Sequence, residues 1–219
     1  MSAVASHSPS TTSRTAVAEP PPPAAAVAAP AGDPAVLGLP IFVVGSVALA
    51  MGLVGYVSPA AAGSAIPIIL AATGIGLLVS AVWAAALGQT LVACIFGLFA
   101  GFWLSYSVLV IGLNHNWFAI PAGDVQHTVA SFQISWAIVM GALTLATLRL
   151  PVVFTAIVGL VVVALVLLIF GTLNTDATLT KAAGVVSFGF AALGVYAFLG
   201  AASAATGGKA YPLGPPLVK

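Results

Sequence analysis

Leu91 to Leu113 reads LVACIFGLFAGFWLSYSVLVIGL, without one Asp, Glu, Lys or Arg. A helix rises about 1.5 Å per residue and the hydrocarbon of a bilayer is about 30 Å thick, so roughly 20 apolar residues in helical form cross it. The run is long enough, and nothing in it demands water. Reading outward, the charge-free stretch extends back to Pro34 and forward to Gly123, bounded by Asp33 and Asp124. No face of any helix within those limits can be solvated by charge, which leaves lipid as the surrounding medium. The whole chain agrees: 61% of its 219 residues are hydrophobic and 4% charged, against roughly a quarter charged in a soluble domain.

Six such runs follow one another, near 37–57, 65–87, 91–113, 131–148, 152–171 and 182–205, each bounded by Gly, Pro, Ser, Asn or a charge. The expected fold class is an all-α membrane protein, a six-transmembrane-helix bundle over residues 33–206. The division at Arg149-Leu150-Pro151 is read as a tight turn, because an arginine at mid-membrane depth costs a few kcal/mol and proline suits a first helical turn. Residues 1–32, Ser/Thr-rich and then Pro/Ala-rich, read as a disordered or polyproline-like tail, and 207–219 as a short second tail. An even number of spans puts both tails on one side. Arg14, Arg149, Lys209 and Lys219 fall there and Lys181 alone opposite, so the positive-inside rule makes both termini cytoplasmic and the protein a multi-pass component of the plasma membrane.

The same composition excludes whole classes of function. A net charge of +1 offers nothing to displace phosphate counterions, so no nucleic-acid partner is expected. A single cysteine, Cys94, excludes an intrachain disulfide and any multi-cysteine metal site. There is no paired-carboxylate site, no G-x-S-x-G elbow, no H-E-x-x-H and no phosphate loop, and neither an enzyme nor a cofactor or metal is expected.

Ionisable groups inside membranes usually mark ion or proton pathways, and none lies confidently within a span, which favours a channel-like path lined by hydroxyls, amides and aromatic rings. Candidate lining groups are Ser80, Ser105, Tyr106 and Ser107, Gln133 and Ser135 at the start of the fourth span, and Ser187 and Tyr196. Serine and threonine in membrane helices also bond back to a carbonyl one turn earlier, a purely structural use. Beyond the third span lie Asn114-His115-Asn116-Trp117 and then His127. There an imidazole would sense external pH, although the plainer reading is an interfacial loop with Trp117 in the headgroup belt. Glycines recur within the spans, and Gly97-Leu98-Phe99-Ala100-Gly101 forms a GxxxG pattern that suits close helix packing.

Asp33-Pro34-Ala35-Val36-Leu37-Gly38-Leu39, which opens the first span, resembles the Asn-Pro-Ala-Pro-Leu-Gly-Leu signature of the acetate uptake transporter, or succinate-acetate permease, family. Asp33 stands in place of the asparagine and Val36 in place of the second proline. Gly101-Phe102-Trp103-Leu104-Ser105 is similar to that family's third-span segment, and Gly208-Lys209-Ala210-Tyr211-Pro212-Leu213-Gly214 to its tail. The resemblance covers roughly Gly32 to Pro216. It implies a six-helix subunit in a homo-hexamer, each subunit with its own path for acetate and related monocarboxylates, sometimes succinate, with proton-linked uptake proposed. By position it implies an apolar constriction built from Phe42, Phe99 and Ile157. Leu77 and Ala84 stand where some bacterial relatives carry glutamine and glutamate, so polar handles are lost there.

Three readings differ in class. The first is uptake of acetate or a similar short monocarboxylate. The second is a channel for a small neutral solute such as urea or an amide, and the third a membrane scaffold that transports nothing.

Overall fold

The computed structural model describes residues 32–219. The tail expected over residues 1–32 therefore lies outside the described residues, Gly32 aside. Among the described residues six helices are long and apolar enough to cross a bilayer, as the six apolar runs predict. They are α1 (Ala35–Leu53), a second span that ends in α2 (Ile75–Ala86), α3 (Thr90–Asn114), α4 (Val125–Ala146), α5 (Val152–Leu173) and α6 (Ala177–Ala205).

Three boundaries depart clearly from the apolar runs, and each has a local cause. α1 stops at Leu53 instead of Val57 because Gly55 takes a positive φ of 85°. The Gly55 and Tyr56 amides then turn back to the carbonyls of Gly52 and Met51, a Schellman closure. α4 starts at Val125, not Ser131, and α6 at Ala177, not Ala182. In both, polar first turns carry the helix past the hydrocarbon, where run length is blind to them. Asp176 caps α6 by accepting from the amides of Thr178 (2.7 Å) and Leu179 (3.2 Å), which supplies partners for two otherwise orphaned donors. The second span is mixed: a 3-10 turn over Pro59–Ala65, a π-helix over Ile68–Gly74, then α2.

Arg149-Leu150-Pro151 does divide two spans. α4 tightens into a 3-10 turn over Thr147–Arg149 before α5 begins. The buried Thr155 hydroxyl donates back to the Thr147 carbonyl at 2.7 Å, which joins the two helix ends. On this same face the last segment folds against the bundle. Leu217 and Val218 amides donate to the Leu148 carbonyl and the Val153 amide to Leu213, while the Tyr196 hydroxyl donates to the Pro212 carbonyl at 2.8 Å.

α1 packs mainly on α6, α6 on α5, α5 on α4, and α2 on α3. Small residues permit the closest of these approaches. A Cβ at Gly184 would meet Val54 Cγ1 at 2.8 Å, Leu53 Cβ at 2.9 Å and the Val54 backbone nitrogen at 3.0 Å, so α6 rests on the end of α1 with no room for a methyl group. Gly45 similarly admits Thr73, whose hydroxyl donates to the Ile41 carbonyl at 3.3 Å and ties the π-helix to α1. In the GxxxG pair Gly97 is looser, for a Cβ there would touch only Ala81 Cβ at 3.8 Å, whereas one at Gly101 would press on the Trp136 ring at 3.3 Å. Gly184→Ala is therefore expected to lower stability by about 1–3 kcal/mol, and Gly97→Ala to leave it nearly unchanged. Unfolding midpoints in detergent check both.

Candidate functional site

Three cavities succeed one another along α1. The first, about 220 Å³, opens beside Asp33 and is walled by Leu39 and Phe42 of α1, Val92, Phe96 and Phe99 of α3, and Phe154 and Ile157 of α5. The second, about 30 Å³, lies against Phe42, Phe99, Trp103, Leu165 and Phe190. The third, about 170 Å³, is bounded by Leu49, Gly52 and Leu53 of α1 together with Ser58, Ser64, Ile69 and Tyr106. Phe42 and Phe99 belong to the first two walls and Leu49 to the last two. From Leu39 to Leu53 the helix advances about 21 Å, most of the hydrocarbon thickness.

Between the first and second cavities the Phe42 and Phe99 rings meet edge to face, their centroids 4.9 Å apart at 64°, and Phe190 lies 5.7 Å from Phe42. Glycines make room for this arrangement. A Cβ at Gly194 would press on Val43 and Phe42, and one at Gly38 would collide with the Phe96 ring. The Gly38 of the opening signature thus has a steric reason: it lets an aromatic wall of the first cavity close on α1.

The structure brings Phe42, Phe99 and Ile157 to one wall, all buried. Tyr106 reaches the third cavity and Ser187 the second, with its hydroxyl donated to the Ala183 carbonyl at 2.8 Å. The expected lining by Ser80, Ser105 and Gln133 does not hold for these cavities. Ser80 is buried and donates to the Gly76 carbonyl. Ser105 is exposed on the outer side of α3 in a shallow groove with Leu104, Val108 and Phe118, and donates to the Gly101 carbonyl at 2.6 Å. Gln133 lies in the third turn of α4 and not at the start of the span, buried, with its Oε1 unpartnered. Ser107 and Ser135 likewise bond back to Trp103 and Ser131, and the Tyr196 hydroxyl holds the last segment. His115 stacks on Trp117 with centroids 5.9 Å apart, and both it and His127 are exposed in the α3–α4 connection and the first turn of α4.

Residues that sequence reading missed include Leu49, Trp103, Leu165 and Phe190. No composition signal marks them, because an apolar residue facing a cavity is spelled like one facing a neighbour.

A family model described as the GPR1/FUN34/yaaH family matches residues 17–216, a stretch that takes in all six spans. The chain belongs to that family. A curated relative in it, Ammonia transport outward protein 2 of Saccharomyces cerevisiae (strain ATCC 204508 / S288c), is 26% identical over 119 residues, which is 52% of this chain and 41% of the relative. The matched region thus spans well under half of that relative's length. Among solved structures, the bacterial acetate channel SatP superposes with a TM-score of 0.74 at 20% identity, over 84% of this chain and all of that one. The GPR1/FUN34/yaaH chain therefore shares SatP's fold, and its described residues form a nearly all-helical bundle with six membrane-capable helices.

If the two larger cavities open to opposite faces, cysteines placed in them report it. In a Cys94→Ser background, Ala35→Cys is expected to react with a membrane-impermeant thiosulfonate from the side of the termini only, and Ser64→Cys from the other side only. Labelling of right-side-out and inside-out vesicles checks this.

Proposed function

We propose that this chain is a transport protein and not an enzyme, and that it carries acetate or a related short monocarboxylate across the plasma membrane by a channel-like path with both termini in the cytoplasm. The observation that carries the reading is the edge-to-face contact of Phe42 and Phe99 at the inner end of a 220 Å³ apolar cavity. A phenyl constriction makes a hydrated inorganic ion shed water with no replacement, which is costly, whereas a small acid presents a methyl group to the same wall. Ile157 completes the apolar ring in this reading, and Tyr106 lines the far vestibule. Support also comes from the fold shared with a channel whose printed title names acetate. The homo-hexamer is carried over from the family resemblance. Outward apolar side chains such as Val79, Val82 and Ile138 must meet either lipid or another copy.

A second reading has its own support. The curated relative's printed name refers to ammonia, and walls so poor in polar groups suit a small neutral solute, whether ammonia, urea or an amide. One experiment separates these solutes. Proteoliposomes are expected to take up radiolabelled acetate, faster when an inward proton gradient is imposed if the path is proton-linked. Urea or methylammonium flux without acetate flux would replace the leading reading. Phe42→Ala and Phe99→Ala, compared at equal protein, are expected to raise flux of longer monocarboxylates several-fold relative to acetate. Unaltered flux in both would return the scaffold reading.

His115 and His127, both exposed beyond the third span, are proposed to make the rate depend on external pH. Replacing both with glutamine is expected to move the midpoint of the flux–pH curve. A superimposable curve would remove them from the mechanism.

A further inference from the structure

Hydroxyls inside the bundle are mostly spent on their own helices, as at Ser46, Ser107 and Ser187, which are buried and donate to carbonyls four residues earlier. Those bordering the third cavity are not. Ser58 precedes the 3-10 turn over Pro59–Ala65 without capping it, and neither it nor Ser64 nor Tyr106 makes a side-chain hydrogen bond among the described residues. The Tyr106 hydroxyl, unlike Trp103 Nε1 and Gln133 Oε1, is not sealed from water. Its ring stacks on Phe102 with centroids 6.1 Å apart at 4° and lies 5.9 Å from Phe132, so two neighbours hold a residue whose one polar side-chain atom is unclaimed. The wall of the third cavity is the most polar of the three, and its volume of about 170 Å³ holds several waters. Irregular backbone at membrane depth is tolerated where it lines such a hydrated space, and the 3-10 turn puts Ser64 and Ala65 in this wall.

A fixed charge stands at the rim. Lys181 is exposed in the second turn of α6, and its Cε lies 3.9 Å from where a Cβ on Gly55 would stand. Gly55 turns between Leu53 and Val57, both of which line the third cavity. Asp176, the carboxylate nearest in sequence, is engaged by the amides of Thr178 and Leu179.

We infer that the third cavity is the entry site for a carboxylate anion, with Lys181 drawing the anion to the rim and the Tyr106 hydroxyl donating to one of its oxygens. The inference rests on the transport reading above and deepens it, naming the charge state that is recognised and the residues that recognise it. An ammonium group beside a cleft with low-dielectric walls raises the local concentration of anions and lowers that of cations. Salt screens that attraction. A phenol and two serine hydroxyls replace part of the anion's hydration, while Leu49 and Ile69 offer its methyl group an apolar wall. The same rim repels ammonium and is indifferent to urea.

Lys181→Gln removes the charge at an exposed position, and Tyr106→Phe removes the donor while keeping the ring. With radiolabelled acetate in proteoliposomes, Lys181→Gln is expected to raise the half-saturating concentration about threefold at low salt. In about 1 M salt, where the screening length is about 3 Å, the difference from wild type should vanish. Tyr106→Phe should raise it about tenfold at either salt concentration, the loss of one hydrogen bond to a charged group. A packing defect alone would lower the maximal rate or the yield of folded protein without that salt signature. Independently, protein labelled with 3-fluorotyrosine should have one fluorine resonance, absent in Tyr106→Phe, that shifts as sodium acetate replaces sodium chloride at constant ionic strength. If Tyr106→Phe does not fold, the resonance is assigned by replacing Tyr56, Tyr196 and Tyr211 instead. Either an unmoved Tyr106 resonance or a Lys181→Gln protein that keeps the wild-type half-saturation at low salt would overturn the inference. If the wild type carries no acetate, the transport reading falls by itself. The Tyr106 resonance then decides the site: a shift with acetate supports it, and no shift overturns it.

Discussion

Hydrocarbon offers no hydrogen bonds, so every polar group that enters it must find its partner within the protein. For the backbone this requirement yields the six helices. For the side chains it has a less obvious result, because the hydroxyls obey it too. Ser46, Ser80, Ser105, Ser107, Ser135, Thr144 and Ser187 each donate to a carbonyl one turn back along their own helix. Hydroxyls committed in this way give little to a solute. The walls of the first two cavities are consequently left mostly to apolar and aromatic residues, while Ser58, Ser64 and Tyr106 border the third, and the unsatisfied buried side-chain polar atoms among the described residues are Trp103 Nε1 and Gln133 Oε1.

Run length and charge made the six spans legible, since both follow from one transfer energy summed over about 20 residues. They could not place the starts of α4 and α6. Gln126, His127 and Thr128, like Thr178, Thr180 and Lys181, are helical without being apolar, and a cap such as Asp176 acts through a geometry that hydropathy does not register. The π-helix over Ile68–Gly74 was equally hidden. Its register is held by a contact 32 positions away, between Thr73 and Ile41. At the candidate site, Phe42, Phe99 and Ile157 were reachable only through resemblance, for nothing in their own spelling separates a cavity wall from a core. Ser80, Ser105 and Gln133 stand out for being polar, and polarity in a membrane helix says that a partner is needed without saying which one.

The last segment makes the same point about motifs. Gly208 to Gly214 has the look of a tail, yet its residues form a set of fitted contacts. Tyr211 fills the notch that Gly200 leaves, Gly214 turns with φ of 78° directly over Val152, and Leu217 and Val218 then supply donors to the Leu148 carbonyl at the end of the fourth span. A carbonyl that the helix itself cannot satisfy is thereby paired. The segment also reaches the mouth of the bundle. Asp33, Ala35, Leu39 and Phe154 border both the first cavity and the cavity beneath Tyr211 and Leu213. The signature at the start of α1 and the motif after α6 are thus two halves of one surface.

In the proposed path, selectivity rests on shape and on the cost of dehydration. A phenyl contact rejects by dehydration, and it rejects acetate as well as chloride unless the solute regains something on the other side. Polar groups in the second span would be one way to return that energy. Leu77 and Ala84 are fully buried and apolar here, so that route is closed. The Ser187 hydroxyl in the wall of the second cavity is bonded to its own helix. A barrier with so little compensation passes a neutral acid more readily than its anion. Where the acid is scarce, at pH well above its own pKa, passage then depends on proton supply at the mouth. Proton dependence would in that case need no titrating carboxylate within the membrane, which agrees with the absence of Asp and Glu between Asp33 and Asp124.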